Sequence, residues 1–209
     1  MTITLNGIGK KFNTEWIFRN LTCRFETGER TVITGRNGSG KSTLLQVIAG
    51  NIHHTEGGIG YNLEGKVIPD TEIFRHLSLV APYQELIEEF TLKEMLEFHF
   101  SFKPLIEGFT IPKIIDLLSF SQAKTKPILK YSSGMKQRVK LVCALLSDTP
   151  LLFLDEPTTN LDKAGIDFYL QLVDNHTRGR TIIVCSNMQL AESGFCEREI
   201  RIEEYKIAR

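Results

Sequence analysis

The stretch Gly35-Arg36-Asn37-Gly38-Ser39-Gly40-Lys41-Ser42-Thr43 matches the pattern G-x-x-x-x-G-K-[ST] without substitution. Before it, Thr31-Val32-Ile33-Thr34 is β-branched and suits a short buried strand. After it, Leu44, Leu45, Val47 and Ile48 fall at helical spacing. Strand, glycine loop and helix, in that order, form the context in which such a loop cradles phosphate. Gly38 and Gly40 let backbone N–H groups close around phosphate oxygens where a Cβ would intrude. The helix start adds free donors and partial positive charge. Lys41 is placed to reach the β- and γ-phosphates, and the Ser42 hydroxyl to take a Mg²⁺ coordination position. At ordinary glycine frequency, a chance match in a chain this long is on the order of one in a hundred.

Working outward, residues 2–12 alternate apolar and polar (Ile3, Leu5, Ile8, Phe12), as an edge strand of an antiparallel sheet would. Phe18 to Phe25 reads as a second strand, with Thr27-Gly28-Glu29 as the turn into the glycine-loop strand. Phe12, and less so Trp16, is an aromatic available to stack on a base; spacing alone favours Phe12 as packing for the strand pair. Beyond the first helix, residues 56–60 and 63–66 read as turns around a short hairpin, and Leu77-Ser78-Leu79-Val80 as a strand followed closely by Gln84.

Leu151-Leu152-Phe153-Leu154 is an uninterrupted apolar run, as in a parallel strand buried on both faces. It ends in Asp155-Glu156-Pro157, two carboxylates where open α/β sheets place ligands. Thr181-Ile182-Ile183-Val184-Cys185 is a last parallel strand ending in Ser186-Asn187, and residues 199–203 alternate like a closing edge strand. Between these core pieces, residues 85–147 turn helical and aromatic (Phe90, Phe98, Phe100, Phe102, Phe109), interrupted by Pro104, Gly108 and Pro112. Aromatics at such spacing are read first as a core and second as a groove for a partner helix. Within that insertion, Ser132 or Ser133 caps a strong helix through Val139, Leu141, Val142, Leu145 and Leu146.

Composition excludes several classes. With 25 Lys+Arg against 25 Asp+Glu, the 209-residue chain has no basic excess for nucleic acid and no acidic tail. No apolar run approaches the ~20 residues of a membrane span, and residues 1–6 are too polar for a signal peptide. Cys23, Cys143, Cys185 and Cys196 form no C-x-x-C pair and read as reduced thiols of a cytosolic protein.

Taken together, these residues resemble the ATP-binding cassette (ABC) ATPases over essentially the whole chain. The order of motifs is the family's: the glycine loop, Gln84, a signature at 132–136, the aspartate strand at 151–156, then Asn160-Leu161-Asp162. The resemblance implies a P-loop α/β core with a mainly parallel sheet and an N-terminal antiparallel β part (1–84 and 148–209), and a helical subdomain at 85–147. It implies that residues 35–43 bind ATP, that Phe12 stacks on adenine, and that Asp155, with Ser42 and Gln84, holds Mg²⁺. Glu156 is implied as the base that polarises the attacking water, with Gln84 and Asn187 sensing the γ-phosphate. Ser132, Ser133, Gly134 and Met135 are implied to complete the ATP site of a second, head-to-tail cassette, with the D-loop Asn160, Leu161 and Asp162 beside them.

Two departures stand out. The familiar L-S-G-G-Q reads Tyr131-Ser132-Ser133-Gly134-Met135, and Asn187 occupies the place of a His. An amide donates a hydrogen bond but carries no positive charge, so slowed hydrolysis is expected. The main expectation is the ATP-binding subunit of an ABC transporter, of small exporter type, peripheral on the cytoplasmic face of the membrane. Its partners are a second cassette and separate membrane-spanning subunits, with no nucleic acid. The competitors are a soluble ABC ATPase acting in assembly and a nucleotide-gated dimerisation switch.

Overall fold

The computed structural model describes residues 1–120, 125–187 and 189–206. The chain divides into a first unit of Met1–Leu77, Pro150–Glu156 and Gly179–Arg209, and a second of Ser78–Thr149 and Pro157–Arg178. Besides the whole stretch read as a helical insertion, the second unit therefore includes the segment after the Asp155-Glu156 turn.

In the first unit, β1 (Thr2–Phe12) and β2 (Glu15–Phe25) form a long hairpin. Ile3, Leu5 and Ile8 are fully buried on one face of β1, together with Phe18, Leu21 and Phe25 of β2. β3 (Arg30–Thr34) leads into the glycine loop and α1 (Lys41–Ile48). β4 (Glu56–Leu63) and β5 (Lys66–Ile68) then complete an antiparallel sheet of order β2-β1-β4-β5. Two expectations fail here for one reason. β1 is not an edge strand, and residues 56–60 are not a turn, because that glycine-rich segment is β4 itself, paired with β1 through Thr4↔Gly60 and Asn6↔Gly58. Glycines lack side chains but keep both backbone hydrogen-bonding groups, and a free ladder edge satisfies them better than a solvated turn. The turn at residues 63–66 forms as expected, with Glu64 and Gly65 both at positive φ.

β6 (Leu77–Val80) carries the chain into the second unit. The first unit resumes with β7 (Leu151–Asp155), β8 (Thr181–Ser186) and β9 (Arg198–Arg201). In that unit the parallel strands run in the order β7-β8-β3-β9. Leu151 to Leu154 and Ile182 to Cys185 are fully buried, as their unbroken apolar runs require. β9 is the edge strand expected near the C-terminus, although parallel to β3 and followed by a 3₁₀ turn at Ile202–Tyr205. The apolar side of α1 lies on β7 and β8 and buries Leu44, Leu45, Val47 and Ile48, each contributing roughly 1.5–3 kcal/mol. The register decides the site: Thr34 lies level with Ser186, and Asp155 level with Cys185. The residues that follow those strands thus emerge side by side at their carboxyl ends.

The second unit is mainly helical. α2 (Leu92–Phe102) opens in a reciprocal capping box between Thr91 and Glu94. α3 (Ile111–Leu118) opens under the Thr110 hydroxyl with Pro112 in its first turn, where the missing N–H costs nothing. α4 (Ser133–Leu145) and α5 (Lys163–His176) pack together and bury Val139, Leu141, Val142, Tyr169, Leu172 and Val173. The aromatics expected in this core are not in it. Leu92, Met95, Leu96, Ile114 and Leu118 fill it, while Phe98 and Phe102 are 43% and 73% exposed. Phe90, Phe98 and Phe102 instead form an edge-to-face row, with centroids 5.8 and 5.1 Å apart. A short α6 (Leu190–Ser193) returns to the first unit. The four cysteines are free thiols.

Candidate functional site

The glycine loop joins the end of β3 to the start of α1, and its geometry is set by residues that take positive φ. Gly40 caps α1 at φ 105°, where an added Cβ would stand 2.5 Å from Ile17 Cγ2. Only glycine fits both the angle and the approach. The loop closes on itself through Ser39 N–H donating to Arg36 O at 3.0 Å, and Leu44 N–H donates to Gly40 O at 2.8 Å. Lys41 is 4% exposed and folds its ammonium back over the loop, donating to Gly35 O at 2.8 Å and Arg36 O at 3.2 Å. Ser39 Oγ is buried with no hydrogen-bond partner among the described residues.

Asp155, at the end of β7, is fully buried, and neither carboxylate oxygen has a hydrogen-bond partner among the described residues. Burial pushes its pKa up to about 6; the neighbouring charges of Glu156 and Glu192 push the same way. The Ser42 hydroxyl and the Lys41 ammonium pull in the other direction, although Ser42 makes no hydrogen bond of proper geometry to the carboxylate. An unpartnered buried carboxylate is costly unless a cation completes it. The hard oxygens of Asp155 and Ser42 suit a small divalent ion such as Mg²⁺.

Glu156 follows at φ 45°, its N–H donating to Cys185 O at 3.0 Å. Such a left-handed position in a non-glycine residue is a strained one, typical of functional turns. Asn187, following β8, reaches both sides of the loop. Its Oδ1 accepts from Lys41 Nζ at 2.5 Å, and its Nδ2 donates to Asn37 Oδ1 at 2.5 Å and Glu156 Oε1 at 3.2 Å. Glycine loop, Asp155, Glu156 and Asn187 are therefore one cluster. Behind it, Ser186 Oγ donates to the buried Glu192 at 2.5 Å, and Thr34 Oγ1 to Glu199 at 2.6 Å. Sequence reasoning missed both carboxylates, since no motif marks a partner six or 165 residues away.

Phe12 ends β1 with its ring 48% exposed and the Lys10 ammonium 4.7 Å from the centroid. Trp16 is already engaged, with the Arg19 guanidinium at 4.6 Å and the Lys11 ammonium at 5.4 Å. Of the two aromatics, Phe12 is the more exposed.

The other sequence-marked residues lie in the second unit. Gln84 turns back on its own loop, its Oε1 accepting from Ala81 N–H at 3.0 Å. Ser132 caps α4 by accepting from Met135 N–H at 3.2 Å. Gly134 backs onto the Asn160 carbonyl, which would lie 2.9 Å from a Cβ. Asp162 caps α5, accepting from Gly165 N–H at 2.8 Å and from Arg138 at 3.0 Å. The Gly165 amide and then Arg138 hold its carboxyl below the usual range. Gln137 donates to Pro157 O at 2.8 Å, and Lys136 pairs with Glu88. The signature and the 160–162 turn thus share a hollow of about 350 Å³ lined by Ser132, Ser133, Gly134, Met135, Arg138 and Asn160.

Known proteins of this build carry the same organisation. A family model described as ABC transporter matches residues 18–159. The chain is 31% identical over 193 residues to the energy-coupling factor transporter ATP-binding protein EcfA1 of Thermotoga maritima, covering 90% of this chain and 73% of that one. It is 29% identical over 195 residues to the cytochrome c biogenesis ATP-binding export protein CcmA of Agrobacterium fabrum, covering 90% of each. The dimeric structure of MJ0796, a bacterial ABC transporter cassette, superposes with a TM-score of 0.80 at 25% identity, covering 99% of this chain and 97% of that one. The chain spans only 61% of the length of a Bacillus subtilis ABC transporter ATP-binding protein to which it is 28% identical, and 52% of one from Nostoc sp.. With the family model over more than half its residues and a P-loop cluster at the strand ends, the chain belongs to the ABC transporter family of ATP-binding cassettes.

Proposed function

We propose that this chain is the ATP-binding and ATP-hydrolysing subunit of an ABC transporter, acting as a pair of cassettes on membrane-spanning subunits carried by separate chains. The carrying observation is the Asp155 carboxylate, buried with no hydrogen-bond partner among the described residues and close to the Lys41 ammonium. Residues 35–43 hold the phosphates, with Lys41 on the β- and γ-groups, and the exposed Phe12 stacks on adenine. Ser42 and Asp155 hold Mg²⁺; Gln84 joins them on family position alone. The ion supplies charge neutralisation across the transferred phosphoryl group. Glu156 orients and polarises the attacking water, and Asn187 donates to the γ-phosphate.

The whole chain acts as one cassette, in which residues 85–147 are the helical subdomain bearing the signature. Ser132, Ser133, Gly134 and Met135 face the triphosphate of the second copy, with Asn160, Leu161 and Asp162 beside them. ATP favours the paired state because only that state contacts each γ-phosphate from both chains, and hydrolysis removes the difference. Among the described residues no helix is long and apolar enough to cross a membrane; a peripheral place on the cytoplasmic face is part of this proposal. A second reading, a slow nucleotide-gated switch, is favoured by the Asn187 contacts to Lys41 and Glu156.

Calorimetry with Mg·ATP tests the site. Wild type should bind, and Lys41→Ala should abolish binding. Glu156→Gln should elute with ATP as a trapped dimer by size exclusion; turnover left intact in that variant would remove Glu156 as the base. Co-purification with a polytopic membrane protein tests the transport role.

A further inference from the structure

The Lys41 ammonium and the Asn187 side-chain amide each use every N–H they have. The ammonium carries three N–H bonds and meets three acceptors: Gly35 O, Arg36 O and Asn187 Oδ1. The Asn187 amide carries two and meets two, Asn37 Oδ1 and Glu156 Oε1. Its orientation is fixed by chemistry. An ammonium has no lone pair and an ionised carboxylate no proton, so the carbonyl end must face Lys41 and the amino end Glu156. The side chain therefore lies as a dipole between a cation and an anion. A neutral imidazole, with one donor and one acceptor, could not serve Lys41, Asn37 and Glu156 together.

We propose that Asn37 and Asn187 are positioning residues that clasp the glycine loop onto its own lysine, so that a nucleotide phosphate must displace Asn187 from the Lys41 ammonium. This rests on the reading of residues 35–43 as a nucleotide phosphate site. The clasp keeps a nearly buried ammonium satisfied when no phosphate is present, and it holds the Glu156 carboxylate beside the loop. Affinity for phosphate is reduced by the strength of the contact it replaces.

ADP is the discriminating probe. It lacks the γ-phosphate, so any contact between that group and Asn187 drops out of the comparison. Titration of Mg·ADP into wild type, Asn187→Ala and Asn37→Ala should show the first variant binding about tenfold tighter and the second tighter by a smaller factor. The double variant should gain no more than Asn187→Ala, because both substitutions open the same clasp. A residue serving only to support the loop would give the opposite sign, weaker binding. In the nucleotide-free protein, nitrogen-15 spectra should show the Lys41 ammonium protected from exchange in wild type and exposed in Asn187→Ala. ADP affinity unchanged or weakened in both single variants overturns the clasp, as does a Lys41 signal equally exposed in wild type. Absence of ADP and ATP binding in the wild-type protein would instead overturn the nucleotide reading itself.

Discussion

The substitution Asp155→Asn should stabilise the nucleotide-free protein, and the gain should grow with pH. In the folded chain the Asp155 pKa stands at about 6 against 3.8 for the free side chain. The folded state therefore binds this proton more tightly than the unfolded state. Below about pH 4 both states hold it and no penalty exists. As pH rises from about 4 to about 6, the unfolded chain ionises freely while the folded chain must ionise a fully buried group, and stability falls. Above about pH 6 the penalty is constant. A shift of about two units at 1.36 kcal/mol each amounts to about 3 kcal/mol, or about 6–12 °C in melting temperature for a chain of this size. A carboxamide at this position does not titrate, so the fall should be missing from the variant. Thermal melts in EDTA without nucleotide, at pH 4.5 and pH 7.5, read the difference between the two proteins. The variant should gain most of its advantage between those two values, while Mg·ATP should stabilise wild type alone. A difference between the two proteins that is the same at both pH values, or one that shrinks as pH rises, would refute the reasoning.

The remaining predictions concern other parts of the molecule. His99, half-buried with its Nε2 3.0 Å from Ser147 Oγ, is pushed down to about 4 by desolvation. It should destabilise the fold by about 3 kcal/mol as pH falls from about 6.5 to about 4, the opposite sense to Asp155; His99→Gln should flatten that limb in urea unfolding. Asn187→His should raise the single-turnover hydrolysis rate, since an imidazole frees Lys41 and can carry charge to the γ-phosphate; an unchanged rate would discard the idea of a slowed cassette. Gly134→Val should lower dimer formation in a Glu156→Gln background without changing ATP affinity of the monomer, because its side chain would meet the Asn160 carbonyl.

Much of the core was legible because its causes are local. An apolar run such as residues 151–154 states that a strand is buried on both faces, and the glycine loop states its own conformation through residues that tolerate positive φ. The same holds for the Ser132 cap. The antiparallel sheet is not legible at one point because glycines 57, 58 and 60 carry no side-chain signal, and whether they turn or pair depends on a free edge of β1, far back in the chain. The exposure of Phe98 and Phe102 is not legible either, because spacing gives periodicity without saying which side of a helix faces inward.

The sequence alone determined the family, the order of the motifs and the residue types at the phosphate loop, since each is written in contiguous residues with a local physical purpose. Only the tertiary structure decided that Asn187 spans Asn37, Lys41 and Glu156, that Asp155 meets no hydrogen-bond partner among the described residues, and that Glu192 and Glu199 stand behind them. Those facts follow from strand register, which sets residues far apart in the chain at one level, and register is fixed by the summed packing of the whole sheet rather than by any stretch of chain.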